Sequence, residues 1–576
     1  MNWALGVFFK LAMRSPWRNF NQGQRKPLQA QRQALRRIIV ANQNTEFGRR
    51  HNFPALAKVS DGRLWRDFRT SVPIRSYADF QSDIEAMKDG KKNVLVPGLP
   101  SMFSLTSGTT AEPKFCPITP AFIREHHRSH LLWMYRVFLD HPQLNSGKYL
   151  VLTSPANLGL TKGGIPYGCM SGKQLADQSI PVRRRLAVPP AVQEISDSEG
   201  RWLNTLLFAL AHKDLSLVLA VNPSSLLAVA SRLREKAEEL IEHLSRRELF
   251  PTLTPRLDKA LARRFHPTDE RAKELREIFQ ADGTLLPAAI WPKLQLISTW
   301  QGGASSFYLP HVSAAWGGVP QRCLGLRASE GTFSIPLRDN TSSAPLAVCG
   351  HAMEFVPAEV ENLEANTPTL LANDLEQGKS YRMVVTTSGG FYRYDLGDVV
   401  EVTRFNRSTP EISFIRRAGA NLSVSGEKVT EDQLVEAMQR AGEKGVLLNG
   451  FTVTWEMENS VTRYVLAVEY AGGTDRFFQR QTLMREQFQE MLNRFDQALQ
   501  EVNCEYAAKR RDGRLSDPRL VLLADGSYRD YYASQGKEGR PENQVKPPHI
   551  VHPATPGRVP VPGTRFFDLA KIEAEI

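Results

Sequence analysis

The stretch SLTSGTTAEPKFCP, residues 104–117, decides how the rest of the chain is read. Thr106, Ser107, Gly108, Thr109 and Thr110 put small and hydroxyl-bearing residues in a row, so backbone N–H groups and hydroxyls can crowd round an anion. Lys114 adds a positive charge a few residues on. The Gly-x-x-x-x-Gly-Lys-[Ser/Thr] pattern of a Walker loop is absent, and a run of Ser, Thr and Gly alone also describes an ordinary turn. What surrounds the stretch has to separate the two.

A chain of 576 residues is too long for one compact core, so two or more domains are expected. Its hydrophobic (41%) and charged (23%) fractions are those of an ordinary globular protein. The net charge of +12 comes from scattered groups such as PVRRRLAV at 181–188, with no long basic tract interleaved with aromatics. That distribution does not point to nucleic acid; it suits small anionic ligands. Five cysteines, Cys116, Cys169, Cys323, Cys349 and Cys504, include no Cys-x-x-Cys pair. They read as reduced thiols of a cytoplasmic protein, neither a disulfide framework nor a zinc site. The apolar WALGVFFKLAM at 3–13 is too short to span a bilayer and lacks the features of a signal peptide, so a packing helix is expected there.

Helices are expected over 26–48, 69–90 and 119–141, the last with Thr119 as N-cap and Pro120 in its first turn. Between 147 and 300 short apolar strands (GKYLVLTSP, LSLVLAVN, KLQLISTW) alternate with helical stretches, the longest at 223–248. That alternation predicts an α/β fold with largely parallel sheet. From about 340 strands dominate, giving a β-rich subdomain. After about 420 a smaller α+β unit follows, with a helix at 430–442, strands at 448–458 and 463–473, and a long helix over 475–503. The expected division is 1–418, a hinge at 419–428, and 429–576 with a Pro-rich, extended tail.

Three further stretches carry polar groups that could join the first. GLRASEGTF (325–333) places Glu330 on a loop of small residues. A carboxylate beside phosphates needs a cation between them, which makes Glu330 a candidate Mg2+ ligand, although a solvated acid reads the same in isolation. FYRYDLGDVVEV (391–402) sets Asp398 after Gly397 at a strand start, where a carboxylate can accept hydrogen bonds from a ribose diol. NQVKPPHIV (543–551) holds Lys546 before two prolines.

Each signal is weak alone; their order is that of an adenylate-forming enzyme, and TSGTTAEPK resembles that superfamily's phosphate-loop signature, with Ala111 where Gly is usual. Within it the chain resembles the Gretchen Hagen family of auxin-responsive acyl-acid amido synthetases, in a bacterial-type form. The likeness runs over roughly 30–550 and includes LTKGGIPYG (160–168), RASEGTF, TTSGGFYRYDLGDVVEV and LSVSGEKVTEDQL. It implies that a carboxylic acid attacks the α-phosphorus of ATP to give acyl-AMP and pyrophosphate, and that an amino acid's amine then takes the acyl group. Thr106, Ser107, Gly108, Thr109, Thr110, Ser329, Glu330, Asp398 and Arg417 would hold the nucleotide, with Mg2+ at Glu330. Lys546, carried by a mobile C-terminal domain, and Lys428 at the hinge would act in catalysis. Trp133, Met134 and Arg136 would line the acid pocket, and the enzyme would be a monomer. A thiol acceptor, or a ligand-binding homologue without catalysis, are the alternatives. Two departures stand out. Leu326 replaces the family's aromatic four residues before the glutamate, and Tyr394-Asp395 replaces a Tyr-Arg pair.

Overall fold

A computed structural model describes residues 9–106, 114–153, 156–252, 254–360, 362–419, 421–422, 424, 427–442, 446–458, 461–511, 513–537, 548–551 and 566–568. The chain divides into two compact units, 1–302 with 312–414, and 303–311 with 415–576. The boundary thus falls after Phe414, and the segment 303–311 belongs to the second unit.

Among the described residues, three sheets of four or five strands form the frame of the first unit. Strands β1 (Met102–Thr106) and β2 (Lys114–Ile118) form an antiparallel hairpin, closed at Thr106 opposite Lys114. Strands β4 (Gly159–Leu160) and β5 (Pro166–Gly168) complete it in the order β2-β1-β5-β4, with β5 parallel to β1.

The second sheet is wholly parallel, as the alternation of strands and helices predicts. It runs β3 (Lys148–Leu152), β6 (Leu215–Ala220), β7 (Leu296–Thr299), β8 (Gln321–Cys323). Its strands are apolar at consecutive positions because both faces are covered. Leu150, Val218 and Ile297 join a core with Leu206, Val229 and Trp316. Their neighbours Tyr149, Leu217 and Leu296 face the opposite side and pack with Trp133 and Val137. Those two come from helix α1 (Pro120–Asp140), whose Thr119 side chain accepts from the Phe122 amide at 3.0 Å.

The third sheet is antiparallel, β11 (Ala344–Pro345), β15 (Thr409–Arg417), β14 (Tyr394–Asn406), β13 (Ser380–Thr386), β12 (Ala352–Pro357) in spatial order. Between Arg382↔Val399 and Val384↔Asp395 the register shifts, so β14 carries extra residues around Gly397. A bulge of this kind turns a side chain out of the ladder. Gly397, at φ +74°, is the residue that makes the turn without a steric penalty.

Helical expectations are met with interruptions that have local causes. The helix expected over 26–48 is two, Pro27–Asn42 and Glu46–Arg50, because Thr45 caps a new start through the Gly48 amide. The stretch 69–90 is broken where Val72 turns extended ahead of Pro73. The long helix at 223–248 breaks at Lys236.

The second unit has a sheet ordered β18 (Leu448–Glu458), β19 (Val461–Tyr470), β20 (Ser516–Leu523), β21 (Phe566–Asp568). Helices α2 (Glu431–Gly442) and α3 (Gln481–Val502) accompany it. Phe307 from 303–311 meets Phe451 at 5.0 Å between ring centroids, which explains why that segment joins this unit.

All five cysteines are free thiols, Cys116, Cys169 and Cys323 buried. Among the described residues no helix is long and apolar enough to cross a membrane.

Candidate active site

The opening motif begins and ends in described structure: Thr106 closes β1 and Lys114 opens β2. Ser107, Gly108, Thr109 and Thr110 lie outside the described residues. The Lys114 ammonium sits 5.3 Å from the Tyr77 ring centroid, a cation–π arrangement. Tyr77 also pins β2, its hydroxyl accepting from the Phe115 amide at 2.8 Å.

Two residues before Thr106, the hydroxyl of buried Ser104 lies 3.1 Å from that of Ser329. Ser329 and Glu330 are the turn of a minimal hairpin, β9 (Arg327–Ala328) and β10 (Gly331–Thr332), paired Ala328↔Gly331 and Arg327↔Thr332. One serine pair therefore docks the carboxylate-bearing turn on the strand that leads into the phosphate-loop motif. Glu330 is only 5% exposed, and its charge is among those that raise the Tyr77 phenol, behind the dominant cause, burial. Gly331 is required by packing: a Cβ there would lie 2.7 Å from His351 Cδ2 and 2.9 Å from Phe333 Cζ. Glu330 supplies one hard carboxylate oxygen donor set, and Mg2+ is commonly held by one or two carboxylates with substrate phosphates and waters completing its shell. Among the described residues no group of three or more His, Cys, Asp or Glu converges to hold a metal.

Asp398 is buried on the β14 bulge, placed by Gly397. Its neighbours in the motif are structural. Asp395 accepts from Arg382 Nε at 2.8 Å and from the Gly397 amide at 3.0 Å, which explains why an acid rather than arginine follows Tyr394 here. Arg393 adopts φ +46° and is fully buried, its Nε donating to Glu354 at 3.1 Å and its Nη1 to the Val72 carbonyl at 2.9 Å. Leu326, in the position of the family's aromatic, is buried in an apolar core with Phe333 and Leu346.

The three residues expected to line the acid pocket, Trp133, Met134 and Arg136, all lie on α1. Trp133 is wholly buried, its indole N–H donating to the Cys323 carbonyl at 3.0 Å. Met134 packs against the same core, and Arg136 donates from Nε to Asp140 at 2.9 Å. The residues of α1 that reach the β9–β10 hairpin are one and two turns earlier. His126 Nε2 lies 3.1 Å from Gln174 Oε1 and its Nδ1 3.3 Å from the Thr332 hydroxyl, a pairing that one neutral tautomer satisfies. Burial brings His126 down to about 4, helped by the Arg327 charge, and the same two causes hold His130 well below its ordinary value. The sequence does carry the signal, since HHRSH at 126–130 spaces two histidines four apart on one helix face, but no motif attaches to it.

In the second unit Arg417 ends β15, while Lys428 is exposed, its amide donating to Glu505 at 2.9 Å and its carbonyl accepting from Asn503 at 2.7 Å. Its neighbour Glu427, fully buried, accepts from the Tyr464 hydroxyl at 2.8 Å. Lys546 lies outside the described residues.

A parallel sheet, a hydroxyl-bearing hairpin and a buried acid on each of two further turns define the class: the fold is that of adenylate-forming enzymes. It is similar to the 2-hydroxyisobutyryl-CoA ligase in its postadenylation state (TM-score 0.50, 12% identity, covering 92% of this chain and 90% of that one). The particular family follows from the sequence. The chain matches the GH3 (Gretchen Hagen) family N-terminal domain over 17–321, the central domain over 345–417 and the C-terminal domain over 432–554, and it belongs to that family. It is 28% identical over 479 residues (78% of this chain, 85% of the relative) to the indole-3-acetic acid-amido synthetase GH3.2 of Arabidopsis thaliana. It is 27% identical over 554 residues (91% of this chain, 87% of the relative) to the probable indole-3-acetic acid-amido synthetase GH3.1 of rice, Oryza sativa subsp. japonica. The acyl acid amido synthetase AtGH3.15 in complex with 2,4-DB superposes with TM-score 0.81 at 22% identity, covering 95% of this chain and 94% of that one. These sequence relatives are plant proteins, and the bacterial-type expectation finds no support among them.

Proposed function

We propose that the protein is an ATP-dependent acid–amino acid ligase. It activates a carboxylic acid as its acyl-adenylate and transfers the acyl group to an amino acid's amine. The observation that carries this reading is the Ser104–Ser329 contact, which sets the Glu330 turn on the strand entering the phosphate-loop motif. The plant relatives bear the names of amido synthetases, which supports an amine acceptor.

In this reading backbone N–H groups and hydroxyls of 106–110 hold phosphate oxygens and stabilise charge as it develops. Ser329 fixes the turn, and Asp398 accepts from the ribose hydroxyls. Mg2+ held by Glu330 would neutralise phosphate charge. Lys546 grips the carboxylate and the α-phosphate oxygens of the adenylation step, with Arg417 and Lys428 assisting. Holding both reactants in line is worth roughly 7–11 kcal/mol in favourable cases. Residues 419–428, shortly after the boundary at Phe414, serve as a hinge in the change from one half-reaction to the other. The protein works as a cytoplasmic monomer.

Pyrophosphate release from ATP and Mg2+, measured over a panel of carboxylic acids with and without amino acids, tests the proposal. Release with an acid, accelerated by an amino acid and not by coenzyme A, is expected. Silence with every acid while ATP still binds would overturn it in favour of a ligand-binding homologue.

A further inference from the structure

Beside the Glu330 turn lies a cation that the reaction as proposed does not use. Arg327 begins β9, leaving β8 at the carboxyl edge of the parallel sheet, where open α/β sheets take their ligands. Arg327 is half-buried, and its Nε is a buried atom with no hydrogen-bond partner among the described residues. Burial pulls the guanidinium down to about 10, and the nearby Cys323 thiol, itself raised by burial, carries no charge near neutral pH to balance it. His126 and His130, whose histidine charges Arg327 suppresses, face it from α1 as neutral rings. His130 Nδ1 is a second buried nitrogen without a partner among the described residues, its ring stacked 5.7 Å from Trp133. The Gln301 amide nitrogen, just beyond β7 on the same edge of the sheet, is a third.

A half-buried guanidinium with one nitrogen shut off from water and no anion beside it is destabilising, and such a group is retained where a ligand supplies the missing charge. The reacting carboxylate suits it poorly. Adenylation turns that carboxylate into a neutral acyl group, so an arginine paired with it would hold the ground state and lose its partner in the product. An anionic group that keeps its charge through both half-reactions has no such defect.

We infer that Arg327, with His130 as a neutral N–H donor beside it, binds a second anionic group on the acid substrate, so that the preferred acid is a dicarboxylate. This inference rests on the acid-activating reading of the site. It makes Arg327 a specificity-determining residue, located where the planar fork of its guanidinium can take a carboxylate in two parallel hydrogen bonds.

The test compares matched acids, succinate to pimelate and the phthalate isomers against butyrate and benzoate, on the full-length protein and on Arg327→Met and Arg327→Lys. Two readouts are taken: the shift of the melting midpoint by acid without ATP, and pyrophosphate release. The wild type is expected to prefer a dicarboxylate over its monocarboxylate partner by about 100-fold in kcat/KM, the scale of one charge-assisted bidentate contact. Arg327→Met is expected to abolish that preference and to melt higher than wild type when no acid is present, since it removes an unbalanced charge. Arg327→Lys should retain part of the preference. Equal responses of the wild type and Arg327→Met to the paired acids, or no selective response of the wild type to any dicarboxylate, would overturn the assignment. Because melting shifts need no turnover, absence of pyrophosphate release alone counts against the ligase reading and leaves this test standing.

Discussion

Glu330 is where chemistry and packing are hardest to separate at the level of one residue, because a buried acid at the tip of a tight hairpin could serve either. The hairpin's own constraints lie elsewhere, in the Ser104–Ser329 contact and in the close approach of Gly331 to His351. Glu330→Gln keeps shape and hydrogen-bonding capacity while removing the charge. We expect pyrophosphate release to fall by about 100-fold, with the melting midpoint held within a degree or two, since the lost interaction is one made to charge developing at the phosphates. A variant that unfolds early and keeps normal release per folded molecule would mark Glu330 as structural. Lys546→Ala should lower release by at least about 100-fold while ATP binding stays largely intact, as for a group acting on the transition state; near-normal release in stopped assays would remove Lys546 from the mechanism. Both residues were singled out as candidates in the sequence because motifs announce them. Arg327 was not, since nothing in GLRASEGTF tells an arginine with a partner from one without.

Elements were legible to the extent that their causes are local. Helix α1 follows from Thr119, Pro120 and an apolar stripe, and the parallel sheet follows from short apolar strands spaced by helices. What the periodicity could not show is which face of α1 meets which neighbour. Periodicity alone does not tell that Trp133 donates to the Cys323 carbonyl, Arg136 to Asp140, or that His126 meets Gln174. The third sheet is the clearer case. The residue leading into its strand β14 is anchored by Glu354 on β12, which accepts from Arg393 Nε at 3.1 Å, from Arg69 Nε at 2.8 Å and from the Thr369 hydroxyl. Glu354 and Arg393 are both nearly inaccessible, so removing one strands the other. Glu354→Ala is expected to cost about 3–5 kcal/mol in unfolding free energy, and Glu354→Gln markedly less, measured by urea titration. Equal, small losses for both variants would show that the ion pair does not hold the strand.

For the molecule as a whole, the histidines set an acid limit on stability. His126 lies at about 4 and His351 at about 3, in each case chiefly through burial and secondarily through a nearby arginine, while His130 is held well below the ordinary 6.5. Each is a base whose folded-state value is depressed, so between that value and 6.5 the unfolded chain binds the extra proton. Stability therefore rises with pH across this window, is complete above about pH 7, and is lost as the pH falls from 6.5 toward 4. At about 1.4 kcal/mol per unit, His126 alone removes roughly 3 kcal/mol by pH 4. The charges that face it, Arg327 and His127, both repel an imidazolium, and the hydrogen bond to Gln174 offsets this only in part. His126→Asn keeps a polar side chain between Gln174 and Thr332 but cannot take up the proton. Urea unfolding at pH 7, 6 and 5 should thus show the wild type losing stability faster than the variant, with the two curves converging downward in pH even if the variant starts lower at pH 7. Parallel curves would mean that His126 titrates normally in the folded protein, and that the ring between α1 and the β9–β10 hairpin is far better solvated than its packing implies.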